Sequence, residues 1–374
     1  MTGVHIQPVS RLAAVLDSIA STGVDGAIIN DPDNRFYVSG FLVDDHGPAE
    51  SAGIVLIGSE QPIVFTSPNN VEWAVSEASG FEVKGWTRPW ETSVAAGIAD
   101  LGWRKVGFEP ASLSYASWSR LQEFDGDFEL VPLSDEIEHL RWVKSDTEIA
   151  LMQAAIDITD RAFERAEDLL EPGISERQLA AEIERFFHEL GADCAAFPPT
   201  VGSGPNGARP HHRTGDRLIQ DGETVVIDMG ARVNGYCADL TRTCWVGELS
   251  AQARRIYWAV AEAQQAALAT VRAGVPAKQV DQAARDVFER EGLSHYVVHA
   301  IGHGLGIRVH DGPPVNNASD LPLQTGNVIT IEPGLYVPGL FGVRIEDVVV
   351  VEGEGCRILS HARKRSASDE FGKG

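Results

Sequence analysis

The sequence predicts a two-domain α/β (α+β) protein, with an N-terminal α/β domain over residues 1–140 and a duplicated α/β domain over residues 141–374. Three observations predict it. At 374 residues the chain is longer than one ordinary hydrophobic core supports. Its first part alternates helical and strand-like segments. Its remainder repeats a helix pair at a constant offset of 101 residues.

In the first domain, Leu12, Val15, Leu16 and Ile19 recur at helical spacing, and VDGAIIN (24–30) then reads as a strand. Apolar runs at 52–58, 62–66 and 105–109, bounded by turn residues, predict further strands. VEWAVSEA (71–78) and YASWSRLQEF (115–124) fill helical slots between them. The alternation predicts an α/β layer structure, and no catalytic constellation falls in it.

A new unit begins near residue 141. Ser145 and Glu148 form an S-x-x-E capping pattern ahead of a long helix. Ile149, Met152, Ile156, Phe163 and Leu170 mark its apolar stripe, and Pro172-Gly173 ends it. A second helix is expected from about Ser175 to Leu190, capped by Gly191. The 101-residue offset carries Gly173 to Gly274, Gln178 to Gln279, Phe187 to Phe288 and Gly191 to Gly292. Each helix pair is followed by an apolar strand ending in an acid and a glycine, VVIDMG (225–230) and VITIEPG (328–334). Two similar halves facing one site are therefore expected.

Composition excludes several functions. With 43% hydrophobic and 23% charged residues the chain is globular, not disordered. A net charge of −23 repels phosphate backbones and anionic membranes, which argues against a nucleic-acid ligand, and it also serves solubility. No run approaches the roughly 18 apolar residues of a membrane span, and the first residues lack the pattern of a signal peptide. Cys194, Cys237, Cys244 and Cys356 show no C-x-x-C spacing. Neither a zinc knuckle nor a disulfide framework is expected, and a reduced, cytoplasmic setting fits. The polar end, 361–374, is expected to fray.

Chemistry concentrates in the second domain. In TVVIDMGARVNGYCADLTRTCWVG (224–247), two β-type runs flank Asn234-Gly235, a strong signal for a two-residue hairpin turn. That turn pairs Val233 with Tyr236 and sets Asp239 opposite Gly230. Asp228 and Asp239 then become diagonal neighbours on one face. Carboxylates that close repel unless a proton or cation is shared, so a metal is one resolution. In the other, Asp228 faces solvent and Asp239 pairs with Arg242.

In VVHAIGHGLGIRVHDGPP (297–314), His299, His303 and His310 lie among glycines that let the backbone approach a bound ion or substrate. The spacing is not that of a zinc H-E-x-x-H helix. Glu332 ends an apolar strand, and Glu346 is expected inside another, in VRIEDVVVV (343–351). A carboxylate there needs a partner, either Arg344 or a metal. GSGPNGARPHH (202–212) matches G-x-G-x-x-G only literally, since its prolines prevent the helix a dinucleotide site requires. It reads instead as a loop delivering His211 or His212 to a site.

Four carboxylates with histidine suit Mn²⁺ or a similar hard ion better than thiolate-type zinc, with Co²⁺, Fe²⁺ and Zn²⁺ as other candidates. That much negative charge suits two ions roughly 3.5–4 Å apart, an arrangement that activates water for amide hydrolysis.

The ordered set GSGPNGARPH, DMG…GYCADLTRT, GHGLGIRVHD, TIEPGLY and VRIEDVVVV resembles the proline-specific peptidases of metallopeptidase family M24, prolidase and aminopeptidase P. The likeness covers about 141–360 closely and 1–140 loosely. It implies a creatinase-like N-terminal domain, a duplicated pita-bread catalytic domain, and hydrolysis of the bond preceding proline in small peptides. By this resemblance Asp228 binds one metal, His303 and Glu332 bind the other, and Asp239 and Glu346 bridge both. Glu332 also takes a proton from water. His211, rather than His212, steadies the intermediate, and His310 contacts substrate. His299, four residues before the metal histidine, and Arg344 of R-x-E mark the proline-specific branch as substrate-binding residues. A homodimer is also implied.

Two departures stand out. HDGPP (310–314) replaces the commoner His-Glu and is expected to bring Asp311 to the substrate pocket, and GNVIT (326–330) lacks the usual methionine. A same-fold hydrolase of a small amide or compatible solute is the enzyme alternative. A non-catalytic pita-bread binding module is the other, disfavoured by the retained ligands.

Overall fold

The computed structural model describes residues 8–43, 45, 51–124 and 126–365. It divides into two compact units, 1–141 and 142–374.

The first unit is built on a six-stranded mixed sheet. Gly26–Ile29, buried throughout, runs antiparallel to Gly53–Gly58 on one side and parallel to Lys105–Phe108 on the other. The expected strands and helices are present, and Glu82–Gly85 and Glu129–Pro132 complete the sheet edges. Those two strands carry exposed and half-buried positions, so they lack the apolar runs that betray the central ones. Ile28, Leu56, Phe65, Val94, Ile98 and Val106 form the core between sheet and helices.

The second unit has two halves, each a helix pair against a sheet. Asp146–Asp168 and Glu176–Leu190 cover the sheet ordered Leu240–Trp245, Thr224–Met229, Thr200–Ser203. Ala251–Thr270 and Ala277–Arg290 cover a five-stranded sheet containing Val328–Ile331 and Asp347–Val351. Both helices of the first pair open on a full capping box, at Ser145/Glu148 and Ser175/Gln178. Gly191 caps the second with φ 98°, a left-handed conformation that favours glycine. The first helix ends at Asp168, ahead of Pro172. Leu170 therefore lies beyond it, though still against the same core.

One strand expected as continuous is broken. Phe341–Arg344 pairs with Gly334–Val337, whereas Asp347–Val351 pairs with Val328–Ile331. The chain changes sheet at Ile345-Glu346, and Glu346 donates its N–H to Thr241 O at 3.1 Å. Glu346 thus sits at a switch point, not inside a strand.

The polar end is also better held than expected. Over 361–365, Asp160 accepts the His361 N–H at 2.6 Å, and Arg242 Nε and Nη2 donate to Ala362 O at 3.2 and 2.9 Å. The remaining residues, 366–374, lie outside the described part.

Candidate active site

The hairpin carrying the first two acids turns at Asn234 and Gly235, with φ 48° and 81°, the pair of left-handed residues a type I′ turn requires. Val233 pairs with Tyr236, and beyond them Leu240 pairs with Met229 and Thr241 with Asp228, so the register holds past both acids. Gly230 permits this closeness, because a Cβ there would lie 2.0 Å from Ala238 O. Asp228 and Asp239 both line a cavity of about 570 Å³.

The opposite half supplies His303 from Gly302–Gly304. The pairing register with Asp311–Val315 shifts across that strand, at His303. Its Nδ1 lies 2.9 Å from Gly304 O, which fixes the Nδ1–H tautomer and presents Nε2 to the acids. Nε2 is 3.3 Å from Glu332 Oε1 and 3.7 Å from Asp239 Oδ2. Glu346 joins them at 1% exposure, with Oε2 accepting from Thr241 Oγ1 at 2.8 Å.

The residues predicted from sequence as metal ligands, catalytic groups and proline-pocket contacts all line this cavity. His211 and His310 line the cavity with exposed side chains, and His299, Arg344, Glu332 and Glu346 share it. His303 and His310 stack edge-on, with centroids 4.5 Å apart. His212 also reaches the wall but is buried, with Nε2 2.9 Å from Glu176 Oε2. Asp311 does not line the cavity. Asp311 instead opens the strand Asp311–Val315, paired with Gly304, and its Oδ1 accepts from Gly312 N at 3.1 Å.

Arg344 is not the partner of Glu346. Its Nη2 donates to Asp228 Oδ2 at 2.6 Å, Nε to Thr241 Oγ1 at 2.9 Å, and Nη1 to Tyr336 Oη at 2.9 Å. Nor does Asp239 pair with Arg242, whose guanidinium goes to Asp347 at 2.9 Å and to nearby carbonyls. Tyr336, which sequence reasoning passed over, donates to His299 Nε2 at 2.8 Å while accepting from Arg344. His299 Nδ1 lies 2.6 Å from Ala300 O, so both ring nitrogens of His299 are engaged. The only sequence hint of Tyr336 was its place in TIEPGLY, beside a proposed acid.

The electrostatics are strained in one direction. Burial, then the charges of Glu346, Asp228 and Glu332, pushes Asp239 well above the carboxylate range. Burial and the neighbouring acids do the same to Glu346. Burial raises Asp228 and lifts Glu332 to about 7, in both cases against the pull of Arg344. Burial lowers His303, favouring its neutral, ligand-competent form. Four acids against one guanidinium leave an excess of negative charge that a cation would relieve.

The donor set fits such a cation. Asp239, His303 and Glu346 each offer a ligand atom, all within 4.8 Å of one another. Glu346 Oε1 is buried with no hydrogen-bond partner, the kind of orphaned acceptor a metal satisfies. Carboxylate oxygens with one imidazole suit a divalent ion of harder character.

Duplicated fold and acid-rich pocket together define a metal-dependent hydrolase. The chain belongs to metallopeptidase family M24, which it matches over residues 150–353, and residues 11–143 match the Creatinase/Prolidase N-terminal domain. Its architecture is thus a creatinase-like domain followed by a pita-bread catalytic domain. Among its relatives is Uncharacterized peptidase YqhT of Bacillus subtilis (strain 168), 34% identical over 95% of this chain and 98% of the relative. A solved Xaa-Pro dipeptidase from Bacillus anthracis superposes with TM-score 0.91 at 34% identity, covering 96% of this chain and 99% of that one. An X-Pro aminopeptidase from Thermotoga maritima MSB8 superposes with TM-score 0.85 at 32% identity, covering 93% and 99%. No helix among the described residues is long and apolar enough to cross a membrane.

Proposed function

We propose that this protein hydrolyses the peptide bond preceding proline, as an Xaa-Pro dipeptidase or aminopeptidase, using two divalent metal ions. The observation that carries the reading is the convergence of Asp239, His303, Glu332 and Glu346 in one cavity with His211, His299, His310 and Arg344. The likeness to solved Xaa-Pro peptidases supplies the substrate class.

In this reading Asp228, Asp239, His303, Glu332 and Glu346 hold the metals, with Mn²⁺ as the preferred ion. When bound, such ions lower the pKa of water and polarise the scissile carbonyl. The protein's own groups do the rest. Glu332 accepts a proton from the attacking water and returns it to the leaving nitrogen. His211 donates a hydrogen bond to the carbonyl oxygen as negative charge develops there. His310 contacts the substrate from the opposite half. Arg344 anchors Asp228 and Tyr336, and Tyr336 in turn fixes the His299 ring as a wall of the substrate pocket.

The test is to load purified protein with Mn²⁺ and assay Ala-Pro beside Ala-Pro-Ala, with a chelator control. Cleavage of the dipeptide alone marks a dipeptidase, and cleavage of the longer peptide marks an aminopeptidase. Two bound metals with neither peptide cleaved would end the proline assignment. A homodimer, implied by the resemblance, and a cytoplasmic setting, expected from the cysteine spacing, belong to the same proposal and are checked by light scattering and cell fractionation.

A further inference from the structure

Glu176 opens the helix Glu176–Leu190, is wholly buried, and does not line the cavity. Yet its carboxylate gathers donors from a single segment, the loop that carries His211. Oε1 accepts from Ser203 N at 2.8 Å, Ser203 Oγ at 2.8 Å and Asn206 Nδ2 at 2.9 Å. Oε2 accepts from His212 Nε2 at 2.9 Å and, more distantly, Gly215 N at 3.4 Å. The loop is therefore tied at its start, middle and end to one carboxylate, whose roughly four lone-pair sites are all in use. Burial alone would raise this acid, but the hydrogen bonds from Ser203, Asn206 and His212 outweigh it and hold it below its ordinary range.

His211 contrasts with its neighbour. Among the described residues no group hydrogen-bonds its ring, so the position of the ring depends on the backbone that carries it. That backbone is fixed on the far side by His212, whose ring is bound to Glu176 and whose N–H donates to Arg209 O at 3.1 Å. Here His211 is exposed in the cavity while His212 is buried, so adjacent histidines divide the work.

We propose that Glu176 is the positioning residue for His211, acting through the Ser203–Asn206–His212 tether. The claim rests on the reading of His211 as the group that meets the scissile carbonyl oxygen. In Glu176→Gln an amide N–H₂ would replace one oxygen and face donors instead of accepting from them. The loop would loosen while every metal ligand stayed in place.

A double-mutant cycle of Glu176→Gln with His211→Ala, on metal-loaded protein with Ala-Pro, tests this directly. Where His211 is present, Glu176→Gln should lower kcat by about 10- to 100-fold, with KM and metal content little changed. In the His211→Ala background it should cost less than about twofold, because the group it positions is gone. Equal losses in both backgrounds would mean a general structural role, and no loss in either would mean no role. Both overturn the proposal. If Glu176→Gln does not fold, Asn206→Ala removes one tether donor and enters the same cycle under the same criteria. If the wild-type protein cleaves neither Ala-Pro nor Ala-Pro-Ala, the functional reading fails on its own, and hydrogen–deuterium exchange decides the tether. Amides of 204–215 should then exchange faster in Glu176→Gln while 224–229 stay protected. Unchanged loop exchange would overturn it.

Discussion

Arg344 and Asp228, separated by 116 residues in sequence, are joined by a 2.6 Å hydrogen bond from Nη2 to Oδ2. The bond links the two halves of the duplicated domain inside the cavity. The same guanidinium reaches Thr241, Tyr336 and, at 3.4 Å, Pro210 O, so its planar fork holds four groups at once. Arg344 is 4% exposed, and removing it leaves Asp228 facing the other acids without its counter-charge. Arg344→Met should destabilise the metal-free protein by about 3–5 kcal/mol in urea unfolding at neutral pH. A loss under about 1 kcal/mol would show that the pair is not holding the site.

Asp239→Asn should act in opposite directions on the two forms of the protein. Without metal, Asp239 is raised by burial and then by the charges of Glu346, Asp228 and Glu332. Its neutral replacement relieves that repulsion, so the metal-free variant should melt above the metal-free wild type. With metal added, the wild type should gain stability by mass action and the variant should gain far less. Calorimetric scans with and without Mn²⁺ check both signs. A metal-free variant that melts lower than the wild type would contradict the repulsion argument.

Glu332→Gln keeps the size of the side chain and removes its proton-accepting capacity. As general base it should be worth about 10²–10⁴ in kcat. Steady-state kinetics on Ala-Pro decide the matter, read alongside metal content so that lost ligation is separated from lost proton transfer. Undiminished kcat would refute the assigned role.

Much of this site could be read from local sequence because local rules place it. Asn234-Gly235 dictates a type I′ hairpin, and that turn fixes the register bringing Asp228 and Asp239 to one cavity. The capping boxes at Ser145 and Ser175 and the left-handed Gly191 are likewise local signals. What escaped is set by contacts distant in sequence. Arg344 takes Asp228 instead of Glu346 because the chain changes sheet at Ile345-Glu346, and no periodicity announces that break. Tyr336 and Glu176 sit in unremarked apolar or capping positions, and their importance lies in partners 37 and 36 residues away, His299 and His212. The edge strands of the first unit escaped for a simpler reason, since they carry no continuous apolar run.

Behind the site, Arg242 joins the polar end of the chain to the strand that follows Glu346. It donates to Ala362 O, to Thr241 O and to the Asp347 carboxylate, which is 1% exposed. Asp347 keeps one further neutral donor, Gln264 Nε2 at 3.0 Å, and Lys364. Arg242→Met should therefore cost about 3 kcal/mol of stability, the lower end for breaking a buried pair, as measured by urea unfolding. It should also free residues 361–365 to exchange their amides faster. Protection of those amides unchanged in the variant would detach the strap from Arg242.

His299 should make the protein sensitive to mild acid. Burial, followed by the charge of Arg344, lowers its imidazole from 6.5 to about 4, so the ring stays neutral in the folded state. Tyr336 Oη, donating to Nε2 at 2.8 Å, requires that unprotonated nitrogen. The unfolded ring protonates first, near 6.5. The stability His299 contributes is thus complete above pH 6.5 and is lost progressively as pH falls toward about 4. Buried carboxylates with raised pKa values titrate with the opposite sign, so the whole-protein curve mixes the two. Subtracting the curve of His299→Gln from that of the wild type isolates the histidine. The difference in unfolding free energy should shrink between pH 6.5 and about 4, and a difference flat across that window would show that the ring is not held neutral by Tyr336 and its burial.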